Sequence, residues 1–150
     1  MNAGEKNGEI WEWHTGKGWK IIPGSEASGP NGLEVSKDGK TLYVAAWGSQ
    51  SFFRLSRGQA TPKREDIPLG FRVDNIRWAS DGTLWATGQG NQTTNIVKIN
   101  PNTLKVQEIR TEQNKPEFGS GTVAVEVGKE IWVGSFRGDR LARFPATPAK

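Results

Sequence analysis

Three features of this 150-residue sequence predict an all-β fold. No stretch keeps a helical 3.6-residue apolar period, whereas short alternating or apolar runs recur throughout. Nineteen glycines and eight prolines supply turns between them. Above all, one pattern repeats: a strand, a tight turn, then a strand bearing an aromatic. "NGLEVSKDGKTLYVA" from Asn31, "DNIRWASDGTLWAT" from Asp74 and "VAVEVGKEIWVGS" from Val123 align on Tyr43, Trp85 and Trp132, spaced by 42 and 47 residues. A period in the forties with several short strands per unit is the pattern of a β-propeller blade.

The elements follow in order. "GEIWEWHTGKGWKIIP" reads as two outer strands, a partial blade over residues 8–23. Residues 29–68 form a blade. Its first two strands meet at Lys37-Asp38-Gly39, "SFFRLSR" is the third strand, and "KREDIP" is the fourth. Residues 72–111 form the next blade, closed by two strands around Asn100-Pro101-Asn102-Thr103, where proline fixes φ and the asparagine side chain can cap the bend. Residues 121–145 give a second partial blade of about three strands. About three four-stranded blades make half of a six-bladed ring. An open arc exposes sheet faces and edges, so the expectation is one half-propeller domain over 1–150, completed by a second copy in a homodimer.

Composition narrows the chemistry. With no cysteine, disulfides, thiolate zinc sites and cysteine nucleophiles are excluded. Seven tryptophans and six phenylalanines separate the chain from disordered sequences. The net charge is +4, but the basic residues are scattered, as at Arg54, Arg57, Arg72 and Arg77; only Lys63 and Arg64 are adjacent and Glu65-Asp66 follow at once, so no nucleic-acid footprint is expected. No apolar run could span a membrane as a helix, and the N-terminal segment lacks the apolar core of a signal peptide. A cytoplasmic location is the default expectation. Ser135 has no triad partners in a recognisable order, which argues against a serine hydrolase.

The candidate site lies at the entries of the inner strands. Asn31 stands one blade before Asp74, with Asn75 beside it, and first strands of different blades converge on a ring's axis. By themselves, Asn31-Gly32 and Asp74-Asn75 also suit plain turns that bond locally to backbone N–H groups. Trp78, Trp85 and Trp132 are expected between blades. Trp47 in "AAWGS" and Phe136 in "GSFRG" are expected in core or rim packing rather than lining the tunnel.

"PNGLEVSKDGKTLYVAAWGSQSFFRL" followed by "RVDNIRWASDGTLWATG" resembles the paraoxonase/arylesterase and SMP-30/gluconolactonase superfamily, over about residues 29–144 and in the order of its C-terminal half. That resemblance implies a six-bladed propeller, a calcium ion in the tunnel and hydrolysis of lactones or aryl esters. Matched by motif, it implies Asn31, Asp74 and Asn75 as metal ligands, with Asp74 and Asn75 in the catalytic centre and Ca2+, or another divalent cation, as cofactor. The family's first-half ligands and its histidine base have no counterpart. The one histidine, His14 in "EWHTGKG", reads as an ordinary surface residue, and Thr122 and Val123 replace a ligand in the third unit. Two other readings stand beside the hydrolase: a non-catalytic binding or assembly propeller, and a half-propeller fragment keeping the scaffold without activity.

Overall fold

The computed structural model describes residues 5–146, and all of its regular structure is β. A hairpin of β1 (Trp11–His14) and β2 (Gly18–Ile21) comes first. A four-stranded antiparallel sheet follows: β3 (Pro30–Val35), β4 (Thr41–Ala46), β5 (Ser51–Ser56) and β6 (Arg64–Pro68). The next is β7 (Arg72–Trp78), β8 (Leu84–Gln89), β9 (Thr93–Ile99) and β10 (Val106–Gln113). The last described sheet has three strands: β11 (Phe118–Val127), β12 (Glu130–Gly138) and β13 (Ala142–Pro145). Within each sheet the strands lie in sequence order, an up-and-down meander.

The Asp-Gly hairpins close as their residues dictate. Asp38 Oδ1 accepts from Ser36 Oγ at 2.6 Å and from the Lys40 amide at 3.1 Å, while Gly39 takes φ 72°. Asp81 and Gly82 (φ 79°) repeat this one blade later, with Asp81 accepting from the Thr83 amide at 3.0 Å. Short acidic side chains bond their own turn, and glycine takes the positive φ without a Cβ penalty.

The core is three seams between sheets rather than one centre. Side chains alternate across a strand, so β4 sends Leu42, Val44 and Ala46 to one seam, with Ile22, Phe53 and Leu55, and Tyr43 and Ala45 to the next. There they meet Phe52, Phe71, Val73, Ile76, Leu84, Ala86, Val97 and Ile99. The other faces of β8 and β9 place Trp85 and Ile96 against Ala124, Ile131 and Val133 of the last sheet. Strands buried on both faces need continuous apolar runs, which is what "TLYVAA" and "LWAT" supply.

Of the tryptophans expected between blades, Trp85 is 1% exposed in a seam. Trp78 lies edge-on to Tyr43 at 5.5 Å and donates from Nε1 to the Val35 carbonyl at 3.1 Å, which links β7 to β3. Trp132 is partly buried and hydrogen-bonds Glu130 of its own strand. Among the described residues no helix is long and apolar enough to cross a membrane.

Candidate functional site

The first strand of each of the three larger sheets carries the same irregularity. Pairing between β3 and β4 skips from Pro30 to Leu33, between β7 and β8 from Val73 to Asn75, and between β11 and β12 from Gly121 to Val123. Asn31, Asp74 and Thr122 are therefore bulged residues. An extra residue at a bulge is unpaired, and the local twist re-aims its side chain. The Asp74-Asn75 pair is the bulge of β7.

The bulges need space on both sides. A Cβ on Gly32 would lie 2.6 Å from the Asp74 carbonyl oxygen, because β3 and β7 run together here. A Cβ on Gly88 would lie 2.0 Å from the Arg72 carbonyl oxygen, so the bulge of β7 is built against a bare backbone.

Around Asp74 the side chains form one network. Asp74 Oδ1 accepts from Asn75 Nδ2 at 2.9 Å, and Oδ2 accepts from Gln89 Nε2 at 3.0 Å. The same two amide groups reach the third blade: Asn75 Nδ2 donates to the Thr122 carbonyl at 3.1 Å, and Gln89 Nε2 to the Gly121 carbonyl at 2.8 Å. Gln89 is held in turn by the Trp47 indole, whose Nε1 donates to Oε1 at 2.8 Å. Burial pushes the Asp74 carboxyl above the ordinary carboxylate range, while hydrogen bonds from the Gln89 and Asn31 side chains pull it part of the way back. No cation pairs with it among the described residues.

The three residues expected at the site are thus together. Asn31 on β3 and Asp74 and Asn75 on β7 meet at one end of the arc, and Asn31 and Asp74 line one opening with Pro30, Trp47 and Phe136. The third blade adds backbone carbonyls rather than side chains. Of the core or rim packing expected for Trp47 and Phe136, the core alternative does not hold. Trp47 is half-buried beside Asp74, and Phe136 is 62% exposed; both line the openings at this end instead of packing in the core. The cause is strand length: both follow the last residues covered by a neighbouring sheet. Gln89 was missed in the sequence, although a signal existed. Trp47, Gln89 and Phe136 repeat at 42 and 47 residues, the same spacing as Tyr43, Trp85 and Trp132. His14 lies at the far end of the hairpin β1–β2, beside Glu12 at 3.3 Å.

The donors offered here are all oxygen: one carboxylate, the side-chain oxygens of Asn31 and Asn75, and backbone carbonyls. In kind they fit a hard divalent cation such as calcium, which takes six to eight oxygens. In number they fall short, with one charged ligand in this chain. Among the described residues no group of three or more His, Cys, Asp or Glu side chains could hold a metal by itself.

Three successive antiparallel sheets whose first strands adjoin at a shared, bulged centre, with an outer hairpin before them, define an arc of a β-propeller. Solved propellers match it along most of its length. The luciferin-regenerating enzyme aligns over 90% of this chain and 47% of its own, with a TM-score of 0.60 and 22% identity. The periplasmic gluconolactonase of Pseudomonas aeruginosa aligns over 95% and 45%, with a TM-score of 0.61 and 16% identity. A streptogramin B lyase aligns over 94% and 48%, with a TM-score of 0.59 and 20% identity. At these identities the likeness is one of fold. Among curated proteins, the Photosystem II assembly lipoprotein Ycf48 of Nostoc sp. is 28% identical over 127 residues, spanning 84% of this chain and 36% of its own length. No family model matches. The chain therefore spans about half or less of the proteins it resembles.

Proposed function

We propose that this arc forms the reactive half of a propeller hydrolase acting on lactones or small esters, with Asp74 at its centre. One observation carries the reading. The first strands of three successive sheets bulge, and the first two bring Asn31, Asp74 and Asn75 to a partly desolvated carboxylate beside an opening. The gluconolactonase and lyase propellers sharing the fold support a reaction centre of this kind. The paraoxonase-like detail rests on the NG and DNI motifs.

Asn31, Asp74 and Asn75 would hold the calcium ion, with the remaining ligands coming from water or from the other half of the ring. When bound, calcium would polarise the ester carbonyl and stabilise the developing oxyanion. Asp74 would serve as the charged ligand, since a carboxylate on a divalent cation loses the basicity that burial gives it in the free site, and a water held at the site would be the nucleophile. Asn75, tied to the Thr122 carbonyl, and Gln89, tied to Trp47 and the Gly121 carbonyl, keep that carboxylate in one orientation.

The missing half of the ring is proposed to come from a second copy. The two ends of the arc are its open faces. The hairpin exposes Trp11, Trp13 and Trp19, and the last sheet exposes Val125, Val127 and Leu141. Such surfaces are the ones a further blade would cover.

Turnover of a small lactone and of phenyl acetate, with calcium and with EDTA, tests the function. Expected are calcium-dependent turnover, its loss in Asp74→Ala, and a melting temperature raised by calcium through binding to the folded state alone. Absence of both turnover and calcium-dependent melting would refute the reading. A solution mass of one chain would refute self-assembly. A second reading, a non-catalytic assembly module, is favoured by the match to an assembly lipoprotein. It predicts retained structure and partner binding in Asp74→Ala, with no turnover in either protein.

A further inference from the structure

The sequence has nine arginines, and seven of them are ion-paired in the fold. Arg54 pairs with Glu65, Arg57 with Glu12, Arg64 with Asp66 and Arg77 with Glu34; Arg110 pairs with Glu112, Arg140 with Asp139 and Arg143 with Glu130. Among the described residues the two without a carboxylate are Arg72 and Arg137, and both line one cleft at the Asp74 end of the arc. That cleft has a volume of about 560 Å³, within the range of small-ligand sites, and no Asp or Glu lines it.

Both guanidiniums are set against aromatic rings. Arg72 stacks over Trp47 at 4.5 Å, and Arg137 lies 5.6 Å from the Phe136 ring centre. Stacking restrains a guanidinium while leaving its in-plane N–H donors free, and a restrained fork loses less entropy on meeting a carboxylate or phosphate. Gln50 and Gln92, at matching turns of the two full blades, line the same cleft with φ of 54° and 55°. Glycine would be favoured there, so both blades keep a long amide donor at a backbone cost. The carboxylate wired to the cleft, Asp74, directs its oxygens at Asn75 and Gln89.

We infer that this cleft binds a small anion, through a carboxylate or phosphate group bridged between Arg72 and Arg137. The inference deepens the hydrolase reading by giving the substrate or product a negative charge. An acid product of lactone opening meets that requirement. Its test is binding rather than turnover, so it stands or falls separately.

Calorimetric titration with inorganic phosphate, and in parallel with gluconate, at ionic strength matched with chloride, reads it out. Expected is saturable binding of at least one of the two. Affinity should weaken by about tenfold or more in Arg72→Gln and in Arg137→Gln, the scale of a lost charged hydrogen bond, and binding should vanish in the double variant. Arg143→Gln, which removes an ion-paired arginine elsewhere, should bind as the wild type does. Arg72→Lys should recover part of the loss, and matching melting temperatures establish that the variants fold. Binding of neither anion above the chloride background overturns the inference, as does undiminished binding in the double variant.

Discussion

The middle sheet, β7–β10, and the hairpin β1–β2 are made of similar residues and have opposite surroundings. The middle sheet is covered on both sides. Trp85 is 1% exposed in one of its seams, and Val73, Ile76 and Leu84 fill the other. The hairpin presents Trp13 at 55% and Trp19 at 66% exposure, paired across the strands with nothing over them. Tryptophan does not decide whether it is core; the number of neighbouring sheets does. The candidate site follows the same rule. It sits on the covered sheet, where burial has raised the Asp74 pKa; Asn31 of β3 bonds the carboxylate from one side, and on the other the carbonyls of β11 hold the Asn75 and Gln89 amides that donate to it.

The sharpest test of this contrast is a pair of equal truncations. Trp85→Ala is expected to destabilise the fold by about 3–5 kcal/mol in urea unfolding, since it removes a large buried side chain and leaves a cavity. Trp13→Ala should change single-chain stability by no more than about 0.5 kcal/mol and, if the proposed second copy covers the hairpin, weaken that association. Similar losses from both would break the contrast. Gly88→Ala comes next. Its Cβ would meet the Arg72 carbonyl oxygen at 2.0 Å, so the bulge must shift, at about 1–3 kcal/mol. If the bulge is what aims Asp74, the same variant also weakens the calcium or substrate binding proposed for the site.

Asp74 gives a third test. Its folded pKa lies above its unfolded value, so its favourable contribution is complete below pH 3.8 and is lost as pH rises through the folded pKa. Gln89→Leu removes a hydrogen bond that favours the charged form. The NMR titration midpoint of Asp74 should move further up, and the loss of stability should extend to higher pH. An unchanged midpoint would show that Gln89 does not tune the carboxylate. The smallest effect belongs to Asp81, held down to about 2 chiefly by Lys98 at 2.8 Å. Here the sign reverses: the stabilisation is present above pH 3.8 and is lost as pH falls through about 2. Lys98→Met should return the Asp81 midpoint towards its ordinary value and change stability by at most about 1 kcal/mol, as expected of an exposed pair.

Much of the architecture was legible because it repeats. The 42-residue step from Tyr43 to Trp85 announced the two full sheets, and the two Asp-Gly turns located their first hairpins. Asn31, Asp74 and Asn75 were legible as candidates for the same reason, being equivalent places in successive units. Gln89 carried the repeat signal too, yet an amide at a strand end gives no cue to its partners. For Trp47 and Phe136 the choice between core and rim stayed open, because an aromatic after an apolar strand reads as either until the end of coverage is known.

The sequence by itself determined what is local or periodic. Turn chemistry, strand alternation and the spacing of the units are set by neighbours in the chain. Only the tertiary structure decided the rest. The register skips that make Asn31, Asp74 and Thr122 bulged residues arise from pairing between strands. The raised Asp74 pKa arises from desolvation by adjoining sheets. The two arginines without carboxylates are distinguished from the other seven only by what stands across from them in space, and no one-dimensional pattern records that.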